Sequence, residues 1–193
     1  MANCRGQGPD GQPCLHKPTN PMLSIPPWLL VAQSESGVKT SPAGQSNPRI
    51  TQYHDVTNLR GYDDKASWCS SFVNWTFAQV GIAGTGSALA RSWLDWGQPL
   101  ETPTTGCVVV LWREDPESWR GHVSFFLRAD DSSVFLFGGN QLDAVQEHSY
   151  PLASVLGYRW PDEGIQASRL ASRSNPISVT TASMPTSTAP CNT

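Results

Sequence analysis

The stretch WCSSFVNWTFAQVG, residues 68–81, decides the fold. Its apolar side chains at 72, 73, 75, 77, 78 and 80 recur at helical rather than strand spacing. Gly81 is a usual C-terminal stop, and Asp63, Asp64 and Ser67 stand upstream as candidate caps. The pattern predicts a buried helix over about 69–80 with Cys69 at its start. Toward the N-terminus, Pro26-Pro27 opens the apolar run WLLVAQSE, and Pro is tolerated in a first helical turn. SPAGQSNP (41–48) reads as a loop, and residues 49–60 as a short helix. On the other side, Ser87 can cap ALARSWLDW, a further helix that ends at Gly97.

After Pro103 the period changes. CVVVLWR (107–113) is β-branched and reads as a buried strand, and HVSFFLR (122–128) as a second. Asp130 to Ser133 form a turn into VFLFGGN (134–140), and AVQEHSYP (144–151) and VLGYRWP (155–161) supply two more strands. Helices followed by antiparallel strands indicate an α+β domain, the N-terminal helices packed on an antiparallel sheet.

Composition sets the limits of that domain. The chain has 193 residues, a net charge of −3 and 38% hydrophobic residues, below the usual globular share. Residues 1–21 are polar and rich in Gly, Pro and Asn. The stretch 162–193 is rich in Ser, Thr, Ala and Pro and has no aromatic residue. Both are expected to be flexible arms around a domain at 22–161. The acidic balance gives no basic footprint for nucleic acid. No apolar run is long enough to span a membrane, and the opening residues lack the apolar core of a secretory signal.

Five cysteines, at 4, 14, 69, 107 and 191, leave at least one thiol unpaired. Cys69 is the one placed for chemistry. Free backbone N–H groups and the dipole at a helix N-terminus stabilise a thiolate, the nucleophilic form of cysteine. The competing reading is an inert cysteine packed among Trp68, Phe72 and Trp75. A thiol also needs a base. His122 follows Gly121 at the mouth of a strand, whereas His54 and His148 lie in polar stretches that read as solvated, and His16 lies in the N-terminal arm. Antiparallel pairing of 122–128 with 134–140 brings Asn140 beside His122, where a side-chain carbonyl can fix the imidazole tautomer. Gln141 and Asp143 are the alternatives for that role. Asn140 also reads simply as a turn residue after Gly138-Gly139. Trp68, Trp93 and Trp96 either line a cleft or, as aromatics at helical spacing usually do, pack inward. Cysteine and histidine spacing offers no metal site, and no cofactor is called for.

These residues resemble a known family. WCSSFVNW at a helix start, GHVSFF on a strand and then GGNQ are similar to the CHAP amidases of the NlpC-like, papain-like superfamily of cell-wall peptidases. PPWL (26–29), NP-x-I (47–50), ARSWL (90–94) and LGYRWP (156–161) extend the likeness to a bacterial and phage subgroup, over about residues 26–161. The resemblance implies a papain-like fold, with Cys69 as nucleophile, His122 as general base and Asn140 as the orienting residue. It also implies a peptidoglycan amide as substrate. The first oxyanion donor is then the Cys69 backbone N–H, with Ser70, Tyr62, Trp68 and Gln141 as secondary candidates for the oxyanion or for substrate contact. One position departs from the family, whose strand usually opens G-D-V-V where this chain has Gly106-Cys107-Val108-Val109. Cys107 is expected to be a buried structural replacement.

The context this implies is a monomeric antibacterial amidase. It would be made in the cytoplasm without a signal peptide, delivered by a type VI-like machine to the periplasm or cell wall, and blocked by an immunity protein that plugs the cleft. The alternatives are a phage endolysin of the same chemistry, released through a holin, and an intracellular cysteine amidase acting on a small peptide conjugate. A non-catalytic binding module is the remaining reading; intact Cys69 and His122 argue against it.

Overall fold

A computed structural model describes residues 25–162. The arms expected at 1–21 and 162–193, with Cys4, Cys14, His16 and Cys191, fall outside the described residues, Asp162 excepted. The order of elements is α1 (Pro27–Ser34), α2 (Pro48–His54), α3 (Cys69–Gln79), a 3-10 turn at Ala90–Asp95, and six strands. The strands are β1 (Gln98–Leu100), β2 (Val108–Trp112), β3 (Gly121–Ala129), β4 (Ser133–Gln141), β5 (Ala144–Pro151) and β6 (Val155–Trp160). They form one antiparallel sheet in the order β1-β6-β2-β3-β4-β5, so the protein is α+β with helices ahead of an antiparallel sheet.

Helix α3 is the axis of the molecule. Every residue from Cys69 to Phe77 is buried, so the helix is covered on all sides rather than on one stripe. Its polar side chains are therefore obliged to find partners. Ser70 donates to the Ser87 carbonyl and accepts from Trp93 Nε1 (2.6 and 2.8 Å), and Asn74 takes the Gly86 N–H (2.8 Å) while donating to the Ser70 and Ser87 carbonyls. The Phe77 ring lies 4.8 Å from Trp96, 5.7 Å from Trp93 and 5.5 Å from Phe125, joining helix to sheet.

The short helix expected within 49–60 is present and stops at His54. Side chains beyond it capture the next carbonyls: Thr57 Oγ1 donates to the His54 carbonyl, and the Arg60 guanidinium to that of Asp55. Two other local expectations are corrected. The helix expected after Ser87 is a 3-10 turn. Ala90, Trp93 and Trp96 are all buried and lie three residues apart, the repeat of a 3-10 helix rather than an α-helix. Finally, no side chain caps α3. Asp64 instead accepts the backbone N–H groups of Ser41 (2.6 Å) and Asn47 (2.8 Å), which pins the 41–47 loop against the approach to α3. The first-turn amides of Cys69 and Ser70 instead face the Cys69 sulfur, a feature that matters at the site.

The sheet is buried on both faces, which is why VVVLW reads as a continuous apolar run. Val108, Val110, Val123 and Phe125 pack toward the helices. Cys107, Val109, Leu111 and Phe126 form a second cluster that includes Tyr158 and Trp160 at its margin. Cys107 is fully buried there, as expected.

Candidate active site

The β3–β4 ladder runs from Ala129–Val134 to Phe125–Phe137 and registers no pair beyond it. At this open end α3 points its N-terminus at the sheet. Two glycines make the approach possible. A Cβ on Gly139 would sit 2.5 Å from the Trp68 ring and 2.7 Å from Phe72 Cβ, and a Cβ on Gly138 would collide with the Ser124 hydroxyl on the other side. Strand β4 is thus sandwiched between the start of α3 and the Ser124 side chain, with no room for a side chain on either residue.

Cys69 is the first residue of α3 and is 5% exposed. Burial raises its thiol pKa, opposed by a hydrogen bond from the Val123 amide and by the Arg113 charge. His122, the residue before Val123, is 1% exposed and lies opposite Leu111 of β2. The structure records no hydrogen bond between the Cys69 thiol and the His122 ring; the two residues flank the same Val123 amide. The half-buried Tyr150 lies beside both: its ring centroid is 5.2 Å from that of His122, and the Cys69 thiol and the Arg113 guanidinium both act on its hydroxyl.

The His122 tautomer follows from the partners around it. Gln141 is fully buried, and its Nε2 donates to the Leu136 carbonyl (3.2 Å) and to the Gln146 carbonyl. Its Oε1 is then the atom that faces Ser124 and His122. The Ser124 hydroxyl donates to that oxygen (3.2 Å) and so accepts from His122 Nε2–H (2.9 Å); Nε2 also lies 3.4 Å from Gln141 Oε1. The relay leaves the lone pair on His122 Nδ1, which is buried without a hydrogen-bond partner. Burial pushes the imidazole pKa down to about 3, with the Arg113 charge adding to the effect and the Gln141 hydrogen bond opposing it. Both shifts favour a neutral thiol and a neutral imidazole at rest.

The side-chain carbonyl that lies beside His122 is that of Gln141 rather than Asn140. Between Gly138 and Gln141 the β4–β5 register shifts, from Gly138–Gln146 to Gln141–Ala144, so β4 carries one extra residue. That bulge reverses the phase of alternation and turns Gln141 onto the face of Gly138 and Ser124. Asn140 occupies the bulge at φ 58°, the left-handed conformation that Asn tolerates, and lines a cavity instead. Ser124 was not singled out by sequence reasoning. Its signal was its place two residues after His122 on one strand, hence on the same face.

The remaining candidates fall outside the relay. Ser70 is committed to Ser87 and Trp93, as above. Trp68 is 1% exposed, with its Nε1 donating to Thr40 Oγ1 (3.2 Å); Trp93 and Trp96 are also buried, so these three rings are core. Tyr62 stands 57% exposed in the loop before α3. Asp143 lies at φ 61° in the β4–β5 turn, on the wall of the same cavity as Asn140. His54, expected to be solvated, is fully buried, and its Nδ1 meets Ser71 Oγ at 2.9 Å because α2 packs on α3. His148 is half-buried against Tyr150, their ring centroids 4.9 Å apart. Among the described residues no group of three or more His, Cys, Asp and Glu could hold a metal ion, and no helix is long and apolar enough to cross a membrane.

Two cavities flank the start of α3. One, of about 290 Å³, is lined by Cys69, Ser67, Leu89, Arg113 and the exposed Trp119. The other, of about 490 Å³, is lined by Thr40, Lys65, Asn140, Asp143 and again Ser67 and Arg113. The two share Ser67 and Arg113 on their walls, and the first, with Cys69 in its lining, is the groove at the thiol.

The buried histidines carry a consequence for stability. Burial depresses the pKa of both His54 and His122. As pH falls through about 6.5, the unfolded chain takes up protons at both, while folded His122 does not until about pH 3. Stability is therefore level above pH 6.5 and falls below it, by on the order of 2–4 kcal/mol at pH 4. Urea midpoints measured from pH 7.5 to 4 should show that decline, and His54→Gln should lessen it while leaving the part due to His122. A midpoint constant to pH 4.5 would contradict the burial of these rings.

No protein-family model matches the chain, and no curated protein matches it.

Proposed function

We propose that this protein is a papain-like cysteine amidase of CHAP type that cleaves an amide bond in the peptide of bacterial peptidoglycan. The single observation that supports the reading is the placement of Cys69 and His122 on either side of the Val123 amide at the open sheet end. Cys69 heads an uncapped helix beside the strand that bears His122, whose Nε2 is held by Ser124 and Gln141 so that Nδ1 is left as the base. In the reaction His122 Nδ1 takes the Cys69 proton as sulfur attacks the amide carbonyl, a transfer between two neutral groups rather than within a preformed ion pair. The first-turn amides of α3, Cys69 N–H among them, face the oxyanion. His122 returns the proton to the leaving amine, and water attacks the thioester through the same base. Delivery as an antibacterial effector, with a cognate inhibitor that occupies the groove, is the setting this reading favours.

The test is digestion of purified sacculi followed by mass spectrometry of the soluble products. Released fragments with new amine and carboxyl ends establish the activity and identify the bond. Intact sacculi from several wall chemistries would remove it. The relay has its own test. Ser124→Ala should lower kcat roughly 10- to 100-fold with little change in KM, because the imidazole loses the acceptor that fixes its tautomer. Gln141→Leu should do more, since it also strips partners from the Leu136 and Gln146 carbonyls. An unchanged kcat and pH profile in Ser124→Ala would sink the relay.

A further inference from the structure

Arg113 is the first residue after β2 and, with Ser67, stands on the wall common to both cavities. The other cations around the groove are already committed. Lys65 Nζ pairs with Asp64 (2.9 Å) and donates to the Ser41 carbonyl. Arg120 pairs with Glu114 (2.5 Å), and Arg91 spends its guanidinium on the Arg120 and Pro116 carbonyls (3.2 and 2.7 Å), holding the β2–β3 loop. Among the described residues Arg113 makes no ion pair; its side chain is exposed at the groove and faces the Tyr150 hydroxyl.

An uncompensated guanidinium on the wall of a cleft is a carboxylate receptor: its planar fork matches two carboxylate oxygens, and no internal anion competes for it. We propose that Arg113 binds a free carboxylate of the substrate, within about one residue of the amide that Cys69 attacks. This rests on the amidase reading of the site and adds a substrate preference to it. Peptidoglycan stem peptides come in two forms that differ at one group: D-glutamate at the second position keeps a free carboxylate, and D-isoglutamine replaces it with a carboxamide. The site selects the first.

The experiment uses the full chain carrying Cys69→Ala, so that binding is read without turnover. Two probes are titrated by calorimetry: N-acetylmuramyl-L-Ala-γ-D-Glu-L-Lys and its D-isoglutamine counterpart. The acid form should bind roughly 10- to 100-fold more tightly, the range for a charge-assisted pair. Arg113→Gln in the same background should bring the acid form to the affinity of the amide, and Arg113→Lys should retain part of the preference. Equal affinity for the two probes with Arg113 in place, or a preference that survives Arg113→Gln, overturns the proposal. If the unmodified protein digests sacculi and no preference is found, the carboxylate site fails while the amidase reading stands. Absence of both digestion and binding removes the amidase reading and this proposal with it.

Discussion

Cys69→Ala should abolish release of muropeptides from sacculi, a fall of about 10⁴-fold or more, without unfolding the protein. The substitution removes one sulfur at the end of a helix whose core contacts run through Phe72, Val73 and Phe77, so the melting midpoint should stay within a few degrees of the parent. The control is Cys107→Ser. Cys107 is the other free thiol among the described residues, and burial in the second cluster pushes its pKa up to about 12. A hydroxyl there should cost stability, about 1–3 kcal/mol for a buried polar group with poor partners, yet leave the rate intact. The two variants therefore split the observables in opposite directions, one losing rate and the other losing stability. Alkylation sharpens the contrast. With both members of the site neutral at rest, iodoacetamide should label Cys69 slowly at neutral pH and faster only as pH rises past the ordinary thiol range. Cys107 should stay unlabelled in the folded chain. A fast limb extending to acid pH would mean a preformed thiolate–imidazolium pair, contrary to the burial of both groups. Full activity in Cys69→Ala would remove the site assignment altogether.

What the sequence made legible was what short-range patterning controls. Helix α3 is found at Cys69–Gln79 against an expectation of 69–80, because its apolar spacing and Gly81 are local signals. The five longer strands lie where β-branched runs and turn residues placed them, and Asp130 Oδ1 accepts the Ser132 and Ser133 amides (2.9 and 2.8 Å) in the expected turn. What stayed illegible depends on distant partners. Strand β1 is only Gln98–Leu100 with a proline at its centre, and it exists through its pairing with β6. His54 looks polar in its own segment and becomes core because α2 lies on α3. The exchange of Asn140 for Gln141 has the same origin. Counting residues along β4 alone gives strict alternation, and the bulge appears only when β4 is matched against β5. Arg113 drew no attention in sequence because nothing local distinguishes it from Arg120 or Arg91; only the list of committed partners does.

The glycine pair should show how tightly rate is tied to this packing. In Gly139→Ala the new methyl meets the Trp68 ring at 2.5 Å and Phe72 Cβ at 2.7 Å. Neither neighbour is the free end of a flexible chain: one is a buried indole and the other sits on the helix itself. Either α3 or β4 must retreat, and overpacking of this kind costs about 1–3 kcal/mol, sometimes more. For a domain of this size the melting midpoint should fall by roughly 5–10 °C. Cys69 lies between Trp68 and Phe72, so the retreat displaces the nucleophile as well. The rate should drop roughly 100-fold even at temperatures where the variant is folded. Gly138→Ala is the instructive partner. Its methyl collides mainly with the Ser124 side chain, the group that holds His122 Nε2. Rotating that hydroxyl away relieves much of the clash, so the stability loss should be smaller, while the rate should fall as far as in Ser124→Ala. Combining Gly138→Ala with Ser124→Ala should then cost no more rate than either alone, because both remove the same hydrogen bond. Additive losses would mean that Gly138 acts on the site by a route other than Ser124, and a Gly139→Ala protein with parental stability would mean that α3 does not press on β4 as closely as these distances require.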